Sequence, residues 1–329
     1  MHSDWAAAAE RAIVTRHLRR VWGLPGTLLA RSGWPAAPGQ RLHVHWNYWW
    51  QAHLLDCLTD AQLRDPTPAR AAAIDRFVSS MRLRNRGSWR NDYYDDLAWL
   101  GLALQRTGRD VGFFLGELRS GWTTEGGGGI WWRRGDRFKN APSNGPAAIL
   151  FARTGDVERA RELLDWMEKT LVDPDTGLVW DGLRVDSGDL VQEIYTYCQG
   201  VFLGACLEMS ELDQAARTIR AVAANGAPGG VLRGKGGGDG GLFAGILARY
   251  LALAVHRLPP GPEPDAARDL VLASAEAAWT GAADAYGGPL FSPEWSEPAP
   301  TPPLPKDHPA RDLSVQLGAW MLLEAAATL

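Results

Sequence analysis

Two consecutive aspartates, Asp95 and Asp96, follow Tyr93-Tyr94 and precede the apolar run Leu97-Ala98-Trp99-Leu100. Acidic residues in a first helical turn commonly do no more than offset the N-terminal dipole and its unpaired N–H groups. The aromatic neighbours argue for more, because a solvated cap needs no Tyr94 or Trp99 beside it. Burying two adjacent carboxylates is costly unless one takes a proton. The resulting split of pKa values supplies one acid and one base or nucleophile. Consecutive helical side chains diverge by about 100°, which sets the carboxyl groups roughly 5–8 Å apart. That range covers both retaining and inverting glycoside cleavage.

Such a pair needs elements to hold it, and these are helical. The chain has 329 residues, 46% hydrophobic and 22% charged, a globular balance. Apolar 3–4 spacing with Gly, Pro and Asx breaks predicts twelve helices. They cover 4–22, 46–63, 67–84, 92–107, 109–120, 140–154, 156–171, 188–209, 211–224, 241–257, 264–281 and 311–328. Thr107-Gly108-Arg109-Asp110 and Thr154-Gly155-Asp156 read as a C-cap glycine followed by a new N-cap, so their helices form antiparallel hairpins.

Every second helix opens on polar and aromatic residues, at centres near 47, 95, 140, 197, 242 and 313, and then runs apolar and small. Helices apolar nearly all round are buried. The intervening helices are more charged, as in Glu158-Arg159-Ala160-Arg161-Glu162. Six buried helices inside six amphipathic ones make an all-α (α/α)6 barrel whose inner N-termini meet at one end. The side chains expected to bind substrate there are Trp46, Asn47, Tyr94, Trp99, Trp132, Asn140, Asn144, Tyr197 and Gln199. The helical rhythm resumes after the glycine runs at 126–129 and 229–241 and the Pro-rich stretch at 289–309, so one domain over 1–329 is expected.

Other chemistries fit less well. Net charge is −4, without the basic excess of a nucleic-acid binder. Gly229 to Lys235 matches part of a phosphate loop, but Gly236 replaces Ser/Thr and no strand precedes it. His43-x-His45 lacks further metal ligands. A prenyl-diphosphate enzyme would need another Asp near 99, where Trp99 stands. Cys198 and Cys206 lie about 12 Å apart along one helix, too far for a disulfide. No metal and no cofactor are expected. With no leader pattern and no long apolar run visible, a cytoplasmic monomer without a membrane span is expected.

The runs Tyr48-Trp49-Trp50-Gln51-Ala52, Tyr93-Tyr94-Asp95-Asp96-Leu97-Ala98-Trp99, Gly128-Gly129-Ile130-Trp131-Trp132, Lys139-Asn140-Ala141 with Ser143-Asn144-Gly145, and Tyr195-Thr196-Tyr197-Cys198-Gln199-Gly200 resemble glycoside hydrolase family 76. The likeness spans roughly 45 to 328, in order. It implies an (α/α)6 barrel and retaining hydrolysis of α-1,6-linked mannose, with an α-mannoside oligosaccharide or glycoconjugate as partner. By the same resemblance Asp95 is the nucleophile and Asp96 the acid/base. Cys198 stands where the family usually has Asn, and Ala244 where it usually has Lys. A sugar-binding barrel that is non-catalytic, or of divergent specificity toward a small mannosylated molecule, is the alternative those two positions suggest.

Overall fold

The computed structural model describes residues 1–329. Twelve helices of ten or more residues carry the chain: α1 (His2–His17), α2 (Tyr48–Arg64), α3 (Pro68–Arg84), α4 (Tyr94–Arg106), α5 (Gly112–Gly121), α6 (Ala141–Arg153), α7 (Val157–Leu171), α8 (Thr196–Glu208), α9 (Leu212–Asn225), α10 (Phe243–Arg257), α11 (Pro262–Thr280) and α12 (Leu313–Ala327). Each corresponds to one expected helix. Two expected boundaries move by several residues. The first helix stops at His17 because β1 (Leu18–Arg19) pairs antiparallel with β2 (Leu29–Ala30). The helix expected over 188–209 begins only at Thr196. Its first part is instead a strand, turned back at Gly188, whose φ of +78° suits glycine.

That strand belongs to a small antiparallel sheet of β3 (Phe138–Asn140), β4 (Trp180–Arg184) and β5 (Asp189–Ile194), in that order. β3 runs directly into α6, and β5 leads through Tyr195 into α8. The sheet therefore fixes where two buried helices begin.

The chain forms two compact units. One comprises Met1–Trp89, Val231–Gly245 and Val271–Leu329; the other comprises Arg90–Gly230 and Ile246–Leu270. In the first, α12 packs on α1 and α2, and every residue from Leu313 to Ala326 is buried. In the second, α6 packs on α4, α7 and α8. Every residue of α6 from Ala141 to Phe151 is buried, while α7 buries one stripe, including Leu163, Leu164 and Met167. This is the alternation of buried and amphipathic helices that the residue pattern implies. Gly145 lets α6 and α8 approach: a Cβ there would lie 2.5 Å from Val201 Cγ2. The segment Gly238–Arg257 is long and apolar enough to cross a membrane, with mean hydropathy 1.3, and 67% of it is buried inside the protein.

Candidate active site

The Asp pair occupies the first turn of α4, within the second unit. Asn91 builds the approach: its Oδ1 accepts from Tyr93 N at 2.9 Å and its Nδ2 donates to Asp96 Oδ2 at 2.5 Å. Asp95 Oδ1 accepts from Asp96 N at 2.9 Å, and Asp95 Oδ2 accepts from Trp132 Nε1 at 3.0 Å. Both carboxylates are half-buried. These two donors fix the orientation of the Asp95 carboxylate.

Trp132 comes from the loop between α5 and α6. Its backbone N donates to Phe138 O and its carbonyl accepts from Tyr94 N, tying loop and helix start together. Tyr93 and Phe138 meet the indole edge-on, at 5.1 and 6.1 Å between centroids. Beneath the loop lies Lys139, wholly buried. Its Nζ donates to Thr123 O, Thr123 Oγ1, Glu125 O and Gly128 O at 2.6–3.0 Å and sits 4.3 Å from the centre of the Trp131 ring. Burial lowers its pKa to about 8. Gly129, at φ +85°, is required here, because a Cβ would press on Trp166 and on Asn144 Oδ1.

A third carboxylate, Asp181 on β4, was not marked by the residue pattern. Cys198 Sγ donates to its Oδ1 at 3.8 Å. Burial, reinforced by the charge of Glu193, pushes Asp181 up to about 6, against the lowering effect of the thiol. Tyr197 lies within the electrostatic reach of Cys198, Asp181 and Asp95, and burial first, then those groups, hold its hydroxyl neutral. Only the acidic residue between Trp180 and Gly182 could have hinted at Asp181 from sequence. The strand that carries it lacks a clear alternating pattern.

Several residues expected to bind substrate are bonded within the fold. Asn144 is fully buried. Its Oδ1 accepts from Ile130 N, and its Nδ2 donates to Ile130 O and Asn140 O. Gln199 does the same with Val179 N, Val179 O and Tyr195 O. Both N–H donors of each amide are spent on backbone carbonyls, and each oxygen is buried against a backbone N–H. Asn140 is the N-cap of α6, its Oδ1 accepting from Ser143 N and Oγ. Tyr94 is 4% exposed, lies under Arg134 at 4.9 Å and accepts from Arg134 Nη1, facing α5 rather than a cleft. Trp99 is likewise buried in α4. Of the expected residues in this unit, Trp132 bonds Asp95 directly and Tyr197 lies within its electrostatic reach.

Trp46 and Asn47 belong to the other unit. Asn47 has φ +52°, rare for a residue with a side chain, and makes no side-chain capping bond although it precedes α2. Trp46 lies edge-on to Tyr48 and carries Arg84 over its ring at 5.2 Å. Ala244 is buried at 3% exposure.

The family model for glycosyl hydrolase family 76 matches residues 114–322. The chain belongs to that family. Among solved structures, the α-1,6-mannanase GH76A of Salegentibacter sp. HEL1_6 is 30% identical, with a TM-score of 0.86 and 99% of each chain covered. An inactive variant of the same mannanase, with two consecutive aspartates changed to alanine, is described in complex with α-1,6-mannotetrose; it is 29% identical to this chain, with a TM-score of 0.87 and 99% of each chain covered. The Lin0763 protein of Listeria innocua is 29% identical, with a TM-score of 0.86, covering 99% of this chain and 97% of that one. No curated protein matches. The chain is thus a family 76 glycoside hydrolase with the family's (α/α)6 barrel fold, as its sequence motifs implied.

Proposed function

We propose that this enzyme hydrolyses α-1,6-linked mannose in mannan-type oligosaccharides with retention, acting as a monomer through Asp95 and Asp96. The carrying observation is the pair itself. Asp95-Asp96 is the one place in the chain where two aspartates adjoin, and two consecutive aspartates are what the inactive relative lacks. Asp95, oriented by Trp132 Nε1 and Asp96 N, attacks the anomeric carbon. Asp96 gives its proton to the leaving glycosidic oxygen, and an ester forms between the sugar and Asp95. Asp96, now a carboxylate, takes a proton from water as that water cleaves the ester. Tyr197, kept neutral beside Asp95, serves as a hydroxyl donor rather than an anion.

Proton NMR of a fresh digest of α-1,6-mannotetraose tests this. The first-formed reducing ends should be α-anomers; β-anomers appearing first would sink the retaining mechanism. Asp96→Ala, offered an activated aryl α-mannoside and azide, should yield the α-azide, and Asp95→Ala should not. The reverse pattern would exchange the two roles.

A further inference from the structure

The enzyme as a whole is acidic, yet from Arg11 to Leu55 it holds six arginines and no aspartate or glutamate. A second acid-free run, 76–91, holds five more arginines, Arg84 and Arg86 among them. The fold of the first unit collects several of these charges. Arg31 lies within electrostatic reach of Arg19 and Arg41, and Arg84 within reach of Arg86. Arg84 Nε donates to His43 O at 2.5 Å, which brings the second run onto the first. Arg19 and Arg41 spend their bonds on backbone carbonyls, and no ion pair joins Arg19, Arg20, Arg31, Arg41, Arg84 or Arg86 to a carboxylate. Like charges gathered without counter-charges repel one another, so an arrangement of this kind calls for an external anion.

Apolar side chains stand out from the same place. Trp22 is 52% exposed, Leu24 44%, and Leu42 and Val44 58% each. They sit on two adjoining loops, because Trp22 Nε1 donates to Leu42 O at 2.8 Å. Trp22 has φ +50°, ψ +24°, a left-handed backbone that an aromatic residue adopts at a cost. The fold thus holds a strained backbone and a fixed indole in order to present an apolar ring to water. Indoles with flanking aliphatics and arginines partition to the bilayer interface, where one end is apolar and the other meets phosphate.

We propose that this face docks the enzyme on a bilayer rich in anionic lipid. Trp22, Leu24, Leu42 and Val44 enter the boundary between headgroups and acyl chains, and the surrounding arginines meet the lipid phosphates. A nucleic acid or an acidic polysaccharide would use the arginines but gain nothing from the exposed Leu and Val. Docking of this kind is peripheral and independent of the buried segment Gly238–Arg257.

Co-sedimentation of the whole protein with vesicles is the test. Vesicles of phosphatidylglycerol and phosphatidylcholine should carry it down, phosphatidylcholine alone should not, and 0.5 M NaCl should release most of it. The double variant Arg20→Glu/Arg41→Glu should bind at least tenfold more weakly. Trp22→Gly accepts the left-handed backbone and so keeps the fold, yet it should lose several-fold in vesicle binding. Hydrolysis of soluble α-1,6-mannotetraose, measured alongside, should be unchanged in all variants and shows that they are folded. Failure of the wild-type protein to sediment with anionic vesicles at low salt would overturn the proposal. So would unaltered binding by Trp22→Gly, or equal binding to heparin, because either marks a general polyanion site.

Discussion

The helix that begins at Tyr94 and those that begin at Ala141 and Thr196 share apolar, buried interiors but open on different chemistry. At α6 and α8 the fourth residue is an amide, Asn144 or Gln199, that grips the N–H and C=O of one residue in a neighbouring extended segment and donates to a carbonyl at its own helix start. The same device recurs in the first unit. Gln51, fourth in α2, holds Ala30 N, Ala30 O and Trp46 O, and Gln316, fourth in α12, holds Phe291 N, Phe291 O and Ala310 O. At α4 the fourth residue is Leu97, and the two residues before it are the aspartates. Four helix starts are thus closed by a buried amide, whereas α4 keeps half-exposed carboxylates in its first turn. A polar residue in the first turn of a buried helix has two opposite uses. A buried amide with both donors spent on backbone is a fastener, and a carboxylate left half-exposed is a reagent.

The largest effect expected from this contrast falls on turnover. Asp95→Asn and Asp96→Asn should each cost about 10³-fold or more in kcat, while chemical unfolding shows stability changed by no more than about 1 kcal/mol. The fasteners should behave in the opposite way. Gln316→Leu leaves Phe291 N–H and C=O buried and unpaired, so stability should fall by about 2–4 kcal/mol in urea titrations; a neutral result would show that the amide clamp is incidental. Trp132→Phe keeps the ring and removes the donor to Asp95. The loss of one hydrogen bond to a charged group predicts about a ten- to hundredfold drop in kcat/KM, with the melting temperature little changed.

The helices were legible because their capping glycines and apolar periods are local signals. So was the candidate catalytic turn, where Asp95-Asp96 stands among aromatics. What an amide at the start of a buried helix touches is not local. Asn144 and Gln199 carry the same residue types as a sugar site, and only the return of Ile130 and Val179 to their sides shows them occupied. Asp181 was missed for a related reason: its partner Cys198 is 17 positions away, across a strand pairing that helix periodicity had hidden.

Asp181 offers a smaller test. Its pKa rises to about 6 in the folded protein from a lower value in the unfolded chain. The native state therefore holds this proton more tightly, and stability falls as pH rises through the interval up to about 6. Asp181→Asn should be more stable than the parent by on the order of 2 kcal/mol at pH 8 and about equal to it at pH 4, as read from thermal melts at both values. An advantage that did not grow with pH would mean that the carboxyl is well solvated. The smallest expected effect is none: prolonged EDTA treatment should leave hydrolysis of α-1,6-mannotetraose unchanged, and activity recovered only on adding a divalent ion would contradict a mechanism of two carboxylates.

Lys139 puts an ammonium group inside four loop oxygens, an arrangement that many proteins complete with a bound potassium or calcium ion. Here the cation is part of the polypeptide. Dilution, desalting or competition from other proteins cannot empty the site, and the loop carrying Trp132 is assembled as soon as the chain folds. What can discharge it is the loss of a proton. With a pKa near 8, the organisation of this side of the catalytic turn is coupled to the alkalinity of the surroundings and not to their mineral content.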